Sequence, residues 1–128
     1  MNTLVVGGAG FIGGNFVLGW LSDPAADGVI NVDKLTYAGH RMTLASVEKG
    51  SRHFLLQADI CDRVLLDRVF AEHRPRAVLH FAAESHVDRS IDAPERFIET
   101  NVLGTFRLLE TALDYWRALA TDARQHFR

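Results

Sequence analysis

The chain has 128 residues, of which 48% are hydrophobic and 23% are charged, a balance typical of one globular domain spanning residues 1–128. The formal net charge is −2 and the basic residues are scattered, which argues against a nucleic-acid or anionic-membrane partner. No apolar run approaches the roughly 18 to 20 residues that a membrane span requires. The single cysteine, Cys61, and the absence of an export signal favour a cytoplasmic protein.

Apolar runs and turn signals predict alternating strands and helices along the chain. Thr3 to Val6 is a short apolar run stopped by two glycines, the pattern of a strand buried on both faces. Farther on, after a polar loop, Asp92 and Pro94 provide an N-cap candidate and a first-turn proline for a long helix. The pattern as a whole predicts strands at 3–6, 29–32, 53–57 and 77–81, and helices at 14–21, 43–48, 64–70 and about 94–119.

This alternation predicts an α/β fold, a Rossmann-type doubly wound parallel sheet in the strand order 3-2-1-4 with right-handed crossovers. Sheets of this type usually have five or six strands, whereas the pattern here supplies four before Arg128. We therefore expect the sheet to be incomplete at the C-terminus, as in the N-terminal part of a longer protein.

The turn after the first strand is glycine-rich and reads Gly-Gly-Ala-Gly-Phe-Ile-Gly from Gly7 to Gly13. Gly7 permits a tight turn from strand to helix, Gly10 lets the backbone approach a pyrophosphate, and Gly13 lets the helix pack closely on the strand. Unpaired N–H groups and the positive end of the helix dipole favour a phosphate at the same place. Because a predicted strand precedes the turn and a predicted helix follows it, the turn predicts a dinucleotide site.

An acidic residue, Asp33, ends the second predicted strand twenty residues after Gly13. A carboxylate at this place can accept hydrogen bonds from both ribose hydroxyls but repels a 2′-phosphate. The sequence therefore predicts NAD as the cofactor in preference to NADP, although the adjacent Lys34 weakens that preference.

Four segments carry a closer resemblance to a known family. They are Asn-Val-Asp-Lys-Leu-Thr-Tyr-Ala-Gly at 31–39, Ala-Asp-Ile-Cys-Asp at 58–62, Ala-Ala-Glu-Ser-His-Val-Asp-Arg-Ser at 82–90 and Phe-Ile-Glu-Thr-Asn-Val-Leu-Gly-Thr at 97–105. With the glycine turn, they resemble the N-terminal part of the dTDP-glucose 4,6-dehydratases, a family of extended short-chain dehydrogenases/reductases. The resemblance runs through essentially the whole chain, and the segment 82–90 is its most specific part.

The resemblance implies a set of cofactor contacts along the carboxyl edge of the sheet. Ser85 is also implied to touch the sugar nucleotide, dTDP-glucose. The implied cofactor contacts are Gly7, Gly10, Phe11, Ile12 and Gly13 at the pyrophosphate, Asp33, Lys34, Leu35, Thr36 and Gly39 around the ribose, Asp59 and Ile60 at the adenine, and Phe81, Ala82, Ala83, Ser85 and Thr100 on the nicotinamide side.

The family's reaction oxidises C4 of the hexose with NAD, eliminates water across C5 and C6, and returns the hydride to C6. It uses a Tyr-x-x-x-Lys pair and a Thr-Asp-Glu segment, and neither occurs in these 128 residues, because the residues four beyond Tyr37 and Tyr115 are Arg41 and Leu119. We therefore expect no catalytic residue in this chain, weak or absent cofactor binding by the chain alone, and no turnover.

Proteins with two other functions would show most of these sequence features. A sugar-nucleotide epimerase or decarboxylase would have the same cofactor half, and a non-catalytic nucleotide-binding module could keep the fold without the reaction. The isolated histidines have no partner at ligand spacing, so no metal site is expected.

The helix predicted at 94–119 is apolar on more than one face. One face would cover the sheet. The other would form a homodimer contact, as the family resemblance implies, or would pack against a further part of the same protein.

Overall fold

The computed structural model describes residues 1–36, 41–48 and 50–128. Gly39, one of the implied cofactor contacts, lies outside the described residues. The strands are β1 (Asn2–Val6), β2 (Gly28–Asp33), β3 (His53–Gln57) and β4 (Ala77–His80). The helices are α1 (Phe11–Ser22), a 3-10 turn (Arg41–Leu44), α2 (Ala45–Glu48), α3 (Arg63–His73), α4 (Val87–Asp92), α5 (Pro94–Phe97), a π-helical segment (Ile98–Gly104), α6 (Thr105–Ala118) and α7 (Thr121–His126). No helix in the described ranges is both long and apolar enough to cross a membrane.

The four strands form one parallel sheet in the order β3-β2-β1-β4, which confirms the predicted Rossmann-type topology. Val6 pairs with Val32 on one side and with His80 on the other, and Asp33 pairs with Gln57. The carboxyl ends of all four strands therefore lie along one edge of the sheet. The strand order reverses direction at β1, so the switch point of the doubly wound sheet lies at this edge, between β1 and β4.

The sheet is covered on both faces, and alternate residues of β1 point into different cores. Leu4 and Val6 pack with Leu66 and Phe70 of α3 on one face. Val5 packs with residues of α1 on the other face. This alternation explains why the first strand is an uninterrupted apolar run: a strand with helices on both sides has no face exposed to water.

The helices that flank the sheet start in different ways. Helix α3 has an N-cap at Asp62, whose side chain accepts a hydrogen bond from the N–H of Leu65 at 3.0 Å. Helix α1 begins after Gly10 with no side-chain cap. The first N–H groups of α1, as in any helix, have no acceptor in their own helix, and α1 begins directly after the glycine turn that follows β1, at the carboxyl edge of the sheet.

The region predicted as a polar loop followed by a single helix is built differently. Residues 87–92 form α4, so Asp92 is the last residue of one helix and not the N-cap of the next, and the prediction for Asp92 was wrong. Ala93 is the N-cap residue, and Pro94 occupies the first turn as expected. The long helix that follows runs to Ala118 and contains seven π-helical residues, which widen its turns beside the sheet.

The free side of β4 is paired with the backbone of Arg128. The N–H of Arg128 donates to the carbonyl of Arg76 at 3.0 Å, and its own carbonyl accepts from the N–H of Val78 at 2.9 Å. Helix α7, which the sequence pattern did not predict, brings the chain back to this edge. The exposed edge of the fourth strand is thus covered in part by one further residue in a strand-like pairing.

Candidate dinucleotide site

A cleft of about 570 Å³ lies at the carboxyl edge of the sheet, at the point where the strand order reverses. Most of the implied cofactor contacts line the cleft. The lining residues are Val6, Gly7, Gly10, Val32, Asp33, Lys34, Thr36, Ala58, Asp59, Ile60, Phe81, Ala82, Ala83, Glu84 and Thr100.

The floor of the cleft is formed by backbone without side chains. Gly7 has φ +83°, a left-handed conformation that glycine adopts without strain. A Cβ atom at Gly7 would also lie 2.6 Å from Cα of Ala82, so the glycine turn and the segment after β4 are in direct contact. At Gly13, a Cβ atom would lie 2.9 Å from Cα of Gly8. The sequence-based roles of Gly7 in the turn and of Gly13 in close packing agree with this geometry.

Two side chains of β2 hold the glycine turn in place. The N–H of Gly8 donates to Oδ1 of Asn31 at 3.1 Å, and the N–H of Ala9 donates to Oδ2 of Asp33 at 2.8 Å. Asn31 and Asp33 are two residues apart in a strand and therefore point to the same face. These bonds occupy two amides of the turn, so the amides that remain for a phosphate are those in the first turn of α1, at Phe11, Ile12 and Gly13.

Asp33 has a second backbone partner. Its Oδ1 atom accepts from the N–H of Leu35 at 2.7 Å, which holds Leu35 in a left-handed conformation with φ 55°. A carboxylate has about four acceptor positions, so two remain available on Asp33 after these two bonds. The structure therefore places at the rim of the cleft a fixed carboxylate with capacity for two more donors.

An ion pair closes the other side of the cleft. Lys34 Nζ lies 2.7 Å from Oδ2 of Asp59, and Oδ1 of Asp59 accepts from the N–H of Cys61 at 2.9 Å. Burial alone would raise the pKa of Asp59, but the bonds from Lys34 and Cys61 outweigh it and lower that pKa below its ordinary value. The same ion pair raises the pKa of Lys34. Lys34 is thus held at Asp59 and away from the carboxylate of Asp33.

The long helix contributes the wall opposite the turn. Thr100 lies in the π-helical segment and lines the cleft. At the end of this segment, Gly104 lies against Ile60: a Cβ atom at Gly104 would be 2.5 Å from Cδ1 of Ile60. The missing side chain at Gly104 lets the helix approach closely enough for Ile60 to remain in the cleft wall.

Asn101 ties the segment after β4 to this helix. Its Oδ1 accepts from the N–H of Glu84 at 2.8 Å, and its Nδ2 donates to the carbonyl of Glu84 at 2.9 Å. No role was predicted for Asn101 or Asn31 from the sequence. Both lie inside the segments that carry the family resemblance, but an amide's partner in a fold cannot be identified from its position in the sequence.

Of the implied cofactor residues that the structure describes, five do not line the cleft itself. Phe11 and Ile12 are at the start of α1 with side chains 84% and 69% exposed, Gly13 packs beneath the turn, Leu35 packs against the core on the α1 side, and Ser85 is exposed just beyond the cleft. Four other lining residues were not among the implied contacts, namely Val6, Val32, Ala58 and Glu84.

His80, at the end of β4, contacts the long helix through its ring. Its Nε2 lies 3.0 Å from Oγ1 of Thr105, and its Nδ1 is buried with no partner among the described residues. Burial lowers the pKa of His80, so the ring is neutral at pH 7. In the described ranges no group of three His, Cys, Asp or Glu side chains is arranged to hold a metal ion.

The family model of the GDP-mannose 4,6 dehydratases matches residues 4–127. The chain belongs to this family. It is 54% identical over all 128 residues to dTDP-glucose 4,6-dehydratase 1 of Escherichia coli K12, which confirms the resemblance inferred from the four segments. The match covers 35% of the E. coli protein.

Solved structures of two kinds of enzyme share this fold. The dTDP-glucose 4,6-dehydratase of Streptomyces venezuelae, solved with NAD bound, is 50% identical with a TM-score of 0.83, over 90% of this chain and 36% of that one. The UDP-glucose 4-epimerase of Thermotoga maritima, solved with UDP-glucose, is 37% identical with a TM-score of 0.77, over 90% of this chain and 35% of that one. The chain thus spans about a third of the length of its relatives.

Proposed function

We propose that the chain is the dinucleotide-binding part of a dTDP-glucose 4,6-dehydratase and that NAD binds in the cleft. The observation that carries this proposal is the position of Asp33 relative to the start of α1. The carboxylate of Asp33, which can accept from ribose hydroxyls, is bonded to the glycine turn at Ala9. The N–H groups that suit a pyrophosphate follow directly after this turn, at the start of α1. The relatives support the same cofactor, because solved dTDP-glucose 4,6-dehydratases contain NAD.

The residues present fit this cofactor at each of its parts. The floor of the cleft at Gly7 and Ala82 is backbone packed so closely that a Cβ atom at Gly7 would overlap Ala82, and it presents no large side chain to the cofactor. Asp33 retains acceptor capacity for two hydroxyls. Ile60 offers an apolar wall for the adenine, and an exocyclic amine that donates to Asp59 would share that carboxylate with Lys34.

In this arrangement the chain binds and orients NAD, and NAD, when bound, supplies the hydride acceptor. Asp33 fixes the ribose and excludes a 2′-phosphate by charge. The N–H groups of Phe11 and Ile12 hold the pyrophosphate. Thr100 and the small residues Ala82 and Ala83 border the nicotinamide end, and Ser85 extends from the same segment towards the sugar nucleotide.

The dehydratase assignment is preferred to the epimerase because curated relatives that match nearly the whole chain at 48% to 56% identity are dTDP-glucose 4,6-dehydratases. A direct test replaces the matching segment of the E. coli dTDP-glucose 4,6-dehydratase 1 with residues 1–128. We expect the chimera to convert dTDP-glucose to the 4-keto-6-deoxy sugar. A chimera that folds and binds NAD but forms no keto sugar would contradict the dehydratase assignment.

Cofactor binding is tested separately by NMR titration of the labelled chain. We expect NAD to shift the amide signals of Gly10, Asp33 and Ala82 with a dissociation constant on the order of 1 mM, and NADP to bind more weakly. The adenosine half, 5′-AMP, should shift Asp33 and Ile60 but not Ala82. If NAD at about 10 mM, ten times the expected constant, shifts none of these signals, the cleft is not its site.

We also propose that the outer face of the long helix forms a homodimer contact. The inner residues Leu108 and Thr111 are buried, on the side of α6 that packs against α3. An outer row of large apolar side chains remains exposed at intervals of three and four, the spacing of a helix-pairing seam. The row consists of Ile98, Val102, Phe106, Leu109, Leu113 and Trp116.

A cytoplasmic location is proposed as well, because the unpaired Cys61 is suited to a reducing compartment.

A further inference from the structure

Asn31 is a fully buried amide in the middle of β2, with no exposed surface. Its neighbours across the sheet are Val5 and Leu55, so the side chain has apolar residues on both sides. Burying an amide is unfavourable unless its polar atoms are hydrogen-bonded. A leucine of the same length would fill this space without that cost, and the reason for an amide must therefore be found in its partners.

Both ends of the Asn31 amide face a specific group. Oδ1 accepts from the N–H of Gly8 at 3.1 Å, and Nδ2 faces Nε2 of His53 at 3.5 Å. Because Oδ1 is the acceptor for Gly8, the donor end of the amide is the end that points to His53. The ring of His53, itself buried, thus lies behind the amide and favours the orientation in which the oxygen meets the turn.

The contact with Gly8 is also close in a steric sense. A Cβ atom at Gly8 would lie 2.6 Å from Cγ of Asn31, so the turn rests directly on the side chain. Gly8 lies between Gly7, whose N–H donates to the carbonyl of Val32 at 2.8 Å, and Ala9, which is held by Asp33. Three successive amides of the turn are therefore anchored to β2, and the middle anchor is a side chain that does not line the cleft.

We infer that Asn31 is a positioning residue for dinucleotide binding: it holds the amide of Gly8 so that the turn directs the N–H groups at the start of α1 into the cleft. This inference rests on the proposed dinucleotide site. Asn31 acts through the turn and does not touch the cofactor. Without it, the turn would keep its neighbouring anchors but lose the one at its centre.

The test compares Asn31→Leu with Thr3→Val, which removes a buried hydroxyl at the other end of the same sheet. In Asn31→Leu we expect amide exchange at Gly8 to become at least about tenfold faster while exchange at Gly7 changes little. We expect the affinity for NAD to fall by roughly tenfold, the equivalent of one hydrogen bond. Thr3→Val should change neither quantity at the turn, even if it lowers stability.

A second variant keeps the inference testable if Asn31→Leu does not fold. Asn31→Asp retains an acceptor for Gly8, and its other oxygen can accept from the ring of His53. We expect exchange at Gly8 to stay slow and most of the affinity for NAD to be retained. In the unmodified chain, a scalar coupling between the Gly8 nitrogen and Cγ of Asn31 should report the hydrogen bond directly.

The outcomes separate this inference from the proposed function. Unchanged exchange at Gly8 in Asn31→Leu, or no coupling in the unmodified chain, would overturn the role of Asn31 whether or not NAD binds. An affinity for NAD that falls equally in Asn31→Leu and Thr3→Val would overturn it as well. If the unmodified chain binds no NAD, the proposed site fails, and the amide exchange at Gly8 alone decides whether Asn31 positions the turn.

Discussion

The carboxylate of Asp33 accepts a hydrogen bond from the backbone N–H of Ala9 at 2.8 Å, so the acid that ends β2 holds the glycine turn that follows β1. The residue proposed to bind the ribose therefore also builds the phosphate site beside it.

Asp33→Asn separates these two roles. An amide can accept from either Ala9 or Leu35 but presents its NH₂ group to the other, so we expect a loss of stability of about 1–3 kcal/mol. The charge that repels a 2′-phosphate is lost too, so the preference for NAD over NADP should shrink. Urea denaturation and paired titrations measure both effects. Asp62→Asn is the matched control, because asparagine caps a helix as well as aspartate does. An unchanged cofactor preference in Asp33→Asn would contradict the role of the charge.

Gly104→Ala tests the close approach of the long helix to the cleft. The added methyl group would overlap Ile60, which is buried, and overpacking of this kind costs about 1–3 kcal/mol. The double variant Gly104→Ala with Ile60→Val removes Cδ1 and should recover part of that loss. Gly19→Ala is the control, because nothing lies within 4 Å of its Cβ position in α1, and it should stabilise the protein by about 0.5–1 kcal/mol. Thermal unfolding of the variants gives the comparison, and equal stability changes at Gly104 and Gly19 would exclude the proposed contact.

His80 should make the stability depend on pH in the acidic range. Burial lowers the pKa of the folded protein's ring below 6.5, so the unfolded chain takes up a proton at a pH at which the folded chain does not. The contribution of neutral His80 is therefore complete above pH 6.5 and is lost as the pH falls through the lower pKa of the folded state. We expect His80→Gln to reduce the loss of unfolding free energy between pH 7 and about pH 5. Identical pH profiles for His80→Gln and the unmodified chain would rule out this contribution.

Leu109→Glu tests the outer face of the long helix. Leu109 is 64% exposed in one chain, and a charge there would prevent two apolar faces from pairing. We expect sedimentation equilibrium to show a dimer for the unmodified chain and a monomer of unchanged fold for Leu109→Glu. Val64→Glu introduces the same charge at an exposed apolar residue of α3 and should leave the mass of the dimer unchanged. A monomeric unmodified chain, or a dimer that survives Leu109→Glu, would contradict the proposed contact.

The sheet could be predicted from the sequence because its signals are local. Apolar runs such as Thr3 to Val6 and the glycines after them fix strand and turn, and the observed strand order agrees with the prediction. Asp92 shows where such signals fail. An aspartate two residues before a proline is a good N-cap candidate, but here it ends α4, and its side chain does not cap the next helix.

The position of the cleft could be predicted from the sequence, but only some of the contacts that form it could. The glycine turn and Asp33 follow from strand and helix geometry, and the structure brings them together. Asn31 and Asn101 were missed because each acts on a backbone group 23 or 17 residues away, a distance that no periodic pattern records. The π-helical segment was missed for a related reason: its widened turns accommodate contacts with Ile60 and Glu84 and leave no mark in composition.

The direct contact between Gly7 and Ala82 has a consequence for the ionic conditions under which a ligand would bind. The floor of the cleft there is glycine and alanine backbone, so an anion would meet peptide dipoles and not a cluster of cationic side chains. Among the described lining residues the only basic side chain is Lys34, which is paired with Asp59. Attraction by fixed dipoles at short range is screened less by salt than attraction between exposed charges. Affinity for an anionic ligand should therefore change little between low and physiological ionic strength.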